Sequence, residues 1–407
     1  MTSVTEPEVT TPTPARTALS ARASHLVGEN EGPFSLLHRL AAERTDVIRL
    51  ARGEPDIPTP AHIIAATKQA LDGGHTGYTP PPGLIELREA IAAKLARDND
   101  LHYDPATEIM VTTGAQEALA VTMQTLVDPG DEVLLAVPVY TAYDSNIRLA
   151  GGVPVAIPTR EEEDFALSPE AIEAHITPRS KILAIVSPNN PTATIIPGET
   201  LERIAAVAQR HNLVVVADEL YEKVIYDGFK HVSIATFPGM RERTIIINGF
   251  SKAYSMTGFR VGYMVGPADY MQAATEPRHS LTISTPTPSQ YAAIAALNGP
   301  QDHIPAMLAE YTRRRDRMRR TFDELGVTYS MPRGGFYFYA NVSGAGVDTT
   351  TFCIKAVREY GLLFYPGTMY DEYANRYIRI SYLAPEAQLE EALRRFTALY
   401  RSCQAEA

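Results

Sequence analysis

The chemistry this chain could perform is concentrated around position 252. In TIIINGFSKAYSMTGFRVGYMVGP (244–267), the β-branched run 244–247 reads as a buried strand, and the turn after it presents Lys252. Burial disfavours an ammonium ion. A lysine just past a buried strand therefore has a lowered pKa and a neutral, nucleophilic amine near neutral pH, which is what Schiff-base formation requires. Ser251 and Arg260 flank it at −1 and +8. A hydroxyl and a guanidinium together suit a phosphate. A single lysine is more often a solvated loop residue, so the spacing has to carry the inference.

Further residues have the same character. Thr113-Gly114-Ala115-Gln116 lies between a strand and a helix, where small residues and a helix N-terminus can receive an anion. Tyr140 follows a strand end and could pack or stack. Asn190 is presented by the Pro-locked turn SPNNPT (187–192). Asp218 ends the apolar run LVVVAD (213–218) and would be costly to bury unpaired. A protonated ring nitrogen is one partner for it; a helix N-cap is the simpler alternative. Arg379 stands inside the apolar strand YIRIS (377–381) and must meet an anion, either a ligand carboxylate or a structural ion pair.

The pattern S-K-x-x-x-x-x-G-x-R-x-G resembles the lysine segment of class I/II aminotransferases, enzymes of fold type I that use pyridoxal 5′-phosphate (PLP). D-E-x-Y (218–221), 34 residues before Lys252, strengthens the likeness, which runs over roughly residues 30–400. It implies a large domain with a mostly parallel seven-stranded sheet between helices, plus a smaller α+β domain. It implies a Schiff base on Lys252, with Asp218 paired to the ring nitrogen and Tyr221 at the ring oxygen. Gly114, Ala115, Gln116, Ser251 and Arg260 would hold the phosphate, Tyr140 would stack on the ring, and Asn190 would bond its hydroxyl. Arg379, helped by Gly53 and Asn190, would clamp a substrate α-carboxylate. Tyr78 would reach a neighbour's phosphate across a homodimer with shared active sites. The implied reaction moves an amino group from an L-amino acid to a 2-oxo acid. Elimination, replacement or cyclisation on the same scaffold is the alternative. Two departures bear on substrate: Ala193 replaces the Gly of N-P-T-G, and Gln116 stands where an aspartate-specific group carries Lys. Arg148 could supply the missing charge.

The elements that must position these residues alternate. Strands are expected at 109–112, 132–137, 153–157, 181–186, 213–217, 244–247 and 261–265, and helices at 116–126, 168–176 and 198–211. Ligands in such sheets bind beyond the strand carboxyl ends. Before them, helices are expected near 35–42, 61–71 and 84–98. After residue 300 come a long helix (303–325), GGFYFY (334–339), a helix near 349–360, short strands at 362–364 and 377–381, and a last helix at 385–400. The domains read as an arm (1–18), a small domain (19–50 and 301–407) and a large one (51–300).

The 407 residues carry a net charge of −11, which disfavours a dedicated nucleic-acid binder or an anionic-membrane binder. TRRRDRMRR (312–320) is interleaved with acids and reads as a solvated face. Two cysteines, Cys353 and Cys403, fit a reducing, cytoplasmic setting. No metal-ligand spacing and no secretory signal are evident.

Overall fold

The computed structural model describes residues 32–406. The expected arm (1–18) and residues 19–31 of the expected small domain lie outside the described residues. After a short β1 (Ile48–Arg49), the large sheet takes β2 (Ile109–Thr112), β3 (Glu132–Val137), β4 (Val153–Pro158), β5 (Ser180–Val186), β6 (Val214–Asp218), β7 (Thr244–Gly249) and β8 (Gly262–Val265). Their order is β2-β8-β7-β6-β5-β3-β4. Only β8 runs against its neighbours. These are the seven strands expected from sequence, in the expected class.

The central strands are apolar on both faces because helices cover both sides of the sheet. Ala115–Leu126, Ala142–Ala150, Pro169–His175 and Gly198–Arg210 make the crossovers. The register sets Val186 beside Asp218 and Asp218 beside Ile247. The loops after β5, β6 and β7 therefore leave the sheet side by side, at one edge.

A second layer follows. β9 (Thr328–Tyr329), β10 (Tyr337–Asn341), β12 (Tyr365–Pro366) and β13 (Tyr377–Ser381) form an antiparallel sheet in the order β12-β13-β10-β9, while β11 (Leu362–Leu363) pairs in parallel with β1. Leu37, Leu40 and Leu50 share one core with Phe338, Phe352, Phe396 and Tyr400. The segment before the large sheet is thus packed with the end of the chain, and Arg379 on β13 is carried by this core.

The reading from sequence assigns no element to 142–150, 268–282 or 287–298, yet each is a helix. The first is short. The second contains Pro277. The third is apolar nearly all round, burying Ala292, Ala293 and Ala296, so it offers no stripe to recognise.

Phe322 is buried against Tyr329, Phe338 and Phe396, at centroid distances of 5.9, 5.3 and 5.3 Å. Phe322→Ala should destabilise this layer by about 3–5 kcal/mol. Chemical denaturation checks it, and a loss near zero would mean that these rings do not form a cooperative core.

Candidate active site

A cavity of about 380 Å³ opens at the carboxyl edge of the large sheet, where the second layer closes over it. Gly53, Ala115, Gln116, Tyr140, Asn190, Asp218, Tyr221, Ser251, Lys252, Arg260 and Arg379 all line it. Arg379 comes from the middle of β13 and Gly53 from the segment before the large sheet; the others end or follow β2, β3, β5, β6 and β7.

The Lys252 ammonium donates to the carbonyl oxygen of Gly53 at 2.6 Å. Burial, reinforced by Arg379 and Arg260, lowers its pKa to about 8. A Cβ at Gly53 would meet the Tyr337 hydroxyl at 2.5 Å, so a larger residue there would have to displace that buried side chain. Asp218 lies at the cavity floor. Burial raises its carboxyl to about 6, against bonds from the Leu220 N–H and the Tyr143 hydroxyl that favour the anion. Tyr221 is buried 3.4 Å from the Tyr337 hydroxyl, and burial pushes its own pKa well up.

At the other end of the cavity, Gly114 turns the chain at φ +80° into the helix Ala115–Leu126. A Cβ at Gly114 would meet Arg260 Nη2 at 2.6 Å. Arg260 itself holds φ +53°, a strained conformation of the kind found at ligand clamps. Its guanidinium donates to the Thr257 carbonyl at 3.0 Å. Beside it, Thr113 Oγ1 is buried without a hydrogen-bond partner. The start of the helix Ala115–Leu126, Ser251 and the Arg260 guanidinium line the same cavity, and this set fits a phosphate. Lys252 lies in the same cavity, close enough to feel the charges of both Arg260 and Asp218, and this set of residues fits PLP: an anion-binding helix start for a phosphate, an amine for a carbonyl and a buried carboxylate for a ring nitrogen.

Arg379 is buried. It donates to Asn190 Oδ1 at 3.0 Å and to the Ala51 carbonyl at 2.9 Å, and its Nε has no partner. Tyr337, Tyr370 and Tyr365 surround its guanidinium, with centroids 4.2, 5.0 and 5.4 Å away. No carboxylate bonds it among the described residues, so the salt-bridge alternative is not realised there and the fork is set to receive an anion. Because Asn190 Oδ1 is engaged by Arg379, its amide NH₂ is the donor left to a ligand.

Three expectations need comment. Tyr78 is not on the cavity wall; it is 80% exposed in its loop. Arg148 does not supply a cation: it is absent from the lining and bonds Asp144 on its own helix at 2.9 Å. Ala193 takes φ +59° in the turn behind Asn190, a left-handed conformation that glycine adopts most readily; this is the physical reason for the glycine of the family pattern. Tyr143, Tyr337 and Tyr365 were not legible as site residues. Tyr337 alone had a signal, the alternation in GGFYFY.

Both reactive groups are held where their charged forms are disfavoured, with a sign for stability that can be worked out. A lysine lowered from 10.5 to about 8 favours the fold above pH 10.5, and that contribution is lost as pH falls through 8. Coenzyme-free Lys252→Met should therefore be more stable than the parent chain at pH 7, by roughly 1–3 kcal/mol. The gap should shrink between pH 8 and 10.5. Denaturant midpoints at several pH values decide it, and equal midpoints at pH 7 would refute the burial argument.

Comparison with known proteins agrees with this geometry. Residues 45–396 match the family model for aminotransferase class I and II. An aspartate aminotransferase of Pyrococcus abyssi is 38% identical over 374 residues, 91% of this chain and 96% of that protein. An aromatic-amino-acid aminotransferase of Thermococcus litoralis is 37% identical over 368 residues, 90% of this chain and 95% of that protein. The structure of the Thermus thermophilus aspartate aminotransferase with maleate superposes at a TM-score of 0.88 with 35% identity, covering 94% of this chain and 100% of that one. The chain belongs to the class I and II aminotransferases and is a PLP-dependent, fold-type I transferase.

Proposed function

We propose that this aminotransferase works through Lys252 and takes an L-amino acid and a 2-oxo acid in turn, and that its residues divide the work as the cavity arranges them. The single observation that carries this reading is that Lys252 shares one cavity with the helix start at Ala115, Arg260 and the buried Asp218, and feels the charges of both Arg260 and Asp218. PLP supplies, when bound, a ring that accepts electrons released at the substrate α-carbon. Lys252 would hold it, Asp218 would keep its nitrogen protonated, and Tyr221 and Asn190 would bond the ring oxygen. Ala115, Gln116, Ser251 and Arg260 would hold the phosphate, and Tyr140 would lie against the ring.

Arg379 receives the substrate carboxylate, while Asn190 and the Ala51 carbonyl fix the plane of its guanidinium. This sets the α-carbon over Lys252. At a pKa of about 8, the amine is partly neutral at physiological pH and can take the α-proton and give it back. The buried tyrosines keep water from the reacting atoms. Transamination is preferred to elimination or cyclisation because the relatives described above are named as aminotransferases.

Lys252→Ala should abolish amino-group transfer while leaving far-UV circular dichroism unchanged. Borohydride reduction of the holoenzyme should label Lys252 in peptide mapping. Label on any other lysine, or clear turnover by the variant, would overturn the assignment. Arg379→Ala should lower kcat/KM for amino acids by about 100-fold or more, in the range expected for losing a charged, buried contact.

The exposed Tyr78 supports a homodimer in which this side chain enters the partner's cavity, and the two free, buried cysteines support a reducing, cytoplasmic setting. No helix among the described residues is long and apolar enough to cross a membrane. The core shared by residues 37–51 and 307–403 supports one small domain built from both ends of the chain. If Tyr78 acts across the interface, mixed Tyr78→Phe and Lys252→Ala subunits should regain part of the activity that each pure variant lacks. Activity of the mixture equal to the sum of the two pure variants would argue that each site is complete within its own chain.

A further inference from the structure

The acidic run Glu161-Glu162-Glu163-Asp164 has the composition of a solvated loop. It follows β4, the edge strand of the large sheet. Glu162 and Glu163 are exposed, but Glu161 and Asp164 turn to the second layer. Glu161 accepts from three side chains there: the Thr328 hydroxyl at 2.6 Å, the Asn341 amide at 2.8 Å and the Tyr377 hydroxyl at 3.0 Å. These stand on β9, β10 and β13, so one carboxylate ties three strands. Asp164 accepts from the Ser330 hydroxyl and pairs with Arg333 at 2.9 Å. The turn itself is made by two successive residues in the left-handed region, Asp164 at φ +55° and Phe165 at φ +50°. A bulky residue takes this conformation only where its surroundings impose it. Phe165 is buried edge-on against Tyr339 and Tyr377, with centroids 5.5 and 5.6 Å away, in the core of the second layer.

The strand register carries this hold to Arg379. β10 and β13 set Asn341 opposite Tyr377 and Tyr339 opposite Arg379. Residues two apart on a strand share a face, and so do directly opposed residues of an antiparallel pair. Asn341 with Tyr377, then Tyr339 with Arg379, are therefore successive rows on one face of the sheet. Glu161 holds the first row. Phe165 rests on Tyr377 and Tyr339, one from each row, and those two rings stack with centroids 4.9 Å apart. Asn190 and the Ala51 carbonyl fix the plane of the Arg379 guanidinium. The turn after β4 meets the strand that carries it.

We propose that Glu161 is a positioning residue for the substrate carboxylate: through Tyr377 and Asn341 it seats β13 against the large sheet, and so sets where the Arg379 guanidinium stands in the cavity. This deepens the reading of Arg379 as the carboxylate clamp and rests on it. Glu161 does not line the cavity and acts only through the strand. Misplacing a binding group by about 1 Å can cost about 100-fold in rate. Phe165 and Asp164 still hold the turn when Glu161 is removed, so the loss from that change is smaller.

The test uses the PLP-loaded enzyme with whichever of aspartate and phenylalanine the parent turns over faster. Glu161→Ala should raise KM for that donor by roughly five- to twenty-fold and change kcat by less than about two-fold. Glu161→Gln keeps one acceptor oxygen and should recover most of the loss. As a readout without turnover, titration of the coenzyme-free protein should give Glu161→Ala a PLP affinity within about two-fold of the parent's, as for two sites with no shared partner. In an Arg379→Ala background, Glu161→Ala should cost less than about two-fold further, because its effect passes through the missing guanidinium. A general structural role would weaken PLP binding as well and would persist without Arg379. An unaltered KM in Glu161→Ala, or an equal loss in both backgrounds, would overturn the proposal, while a large loss in Arg379→Ala alone keeps the clamp reading intact. No loss in Arg379→Ala would overturn both.

Discussion

The structure is organised around the cost of burying charge. One cavity holds a lysine, two arginines and an aspartate, and each ion taken out of water costs several kcal/mol unless it is compensated. The compensation is deliberately incomplete. Lys252 yields part of its charge, Asp218 is raised toward neutrality, and Arg379 keeps an unpaired Nε edge. Three cationic groups against one carboxylate leave the cavity short of negative charge, although the whole chain carries −11. A low-dielectric pocket of one sign draws in the opposite sign. What balances it is a ligand with anionic groups at both ends, and a phosphate at Gly114 with a carboxylate at Arg379 meets that requirement. The fold is the means of paying this cost: the large sheet aligns three strand ends, and a separate core carries Arg379 in from above.

How much of this could be read from the chain depended on whether a residue acts through its own backbone neighbours. The seven strands were legible because each is a nearly unbroken apolar run. Lys252, Asp218 and Asn190 were legible because each follows such a run or a locked turn and stands out against it. Arg379 was legible because an arginine inside YIRIS has no reason to be there without an anion. Tyr143 was not: it lies on a short helix beside other polar residues, and only folding sets its hydroxyl 3.0 Å from Asp218. Glu161 and Tyr377 are 216 residues apart, and nothing local links an acidic loop to a strand tyrosine. The helices 268–282 and 287–298 were hidden for another reason. One contains proline and the other has no polar face, so the amphipathic period that announces a helix is missing from both.

The segment 218–222 shows how the two demands, precise placement and charge burial, are met together. Its side chains divide between two sides of the turn. Asp218 and Tyr221 face the cavity, while Glu219 and Glu222 enter a separate buried cluster. There Glu222 pairs with the Lys94 ammonium and accepts from the Asn99 amide at 2.9 Å, and Glu219 lies 3.1 Å from His231 Nε2. Glu219, Glu222 and His231 come close enough together to hold a cation, but Lys94 already occupies that role for Glu222. Burial works to raise Glu222, yet Lys94 and His231 outweigh it and hold its carboxyl at about 2. Burial likewise opposes protonation of His231, yet the two glutamates hold its pKa above the ordinary value. The two carboxylates thus face a lysine and a histidine whose charged form they favour. A buried charge cluster of this kind contributes more to a single fixed arrangement than to net stability. Its members come from three places: the helix Ile85–Asn99, the turn after β6, and the loop at His231. The turn that presents Asp218 and Tyr221 is therefore held from behind by ions that never meet the ligand. The active face leaves its charges to a ligand, while on the opposite face of the same five residues Lys94 answers Glu222 and His231 stands against Glu219.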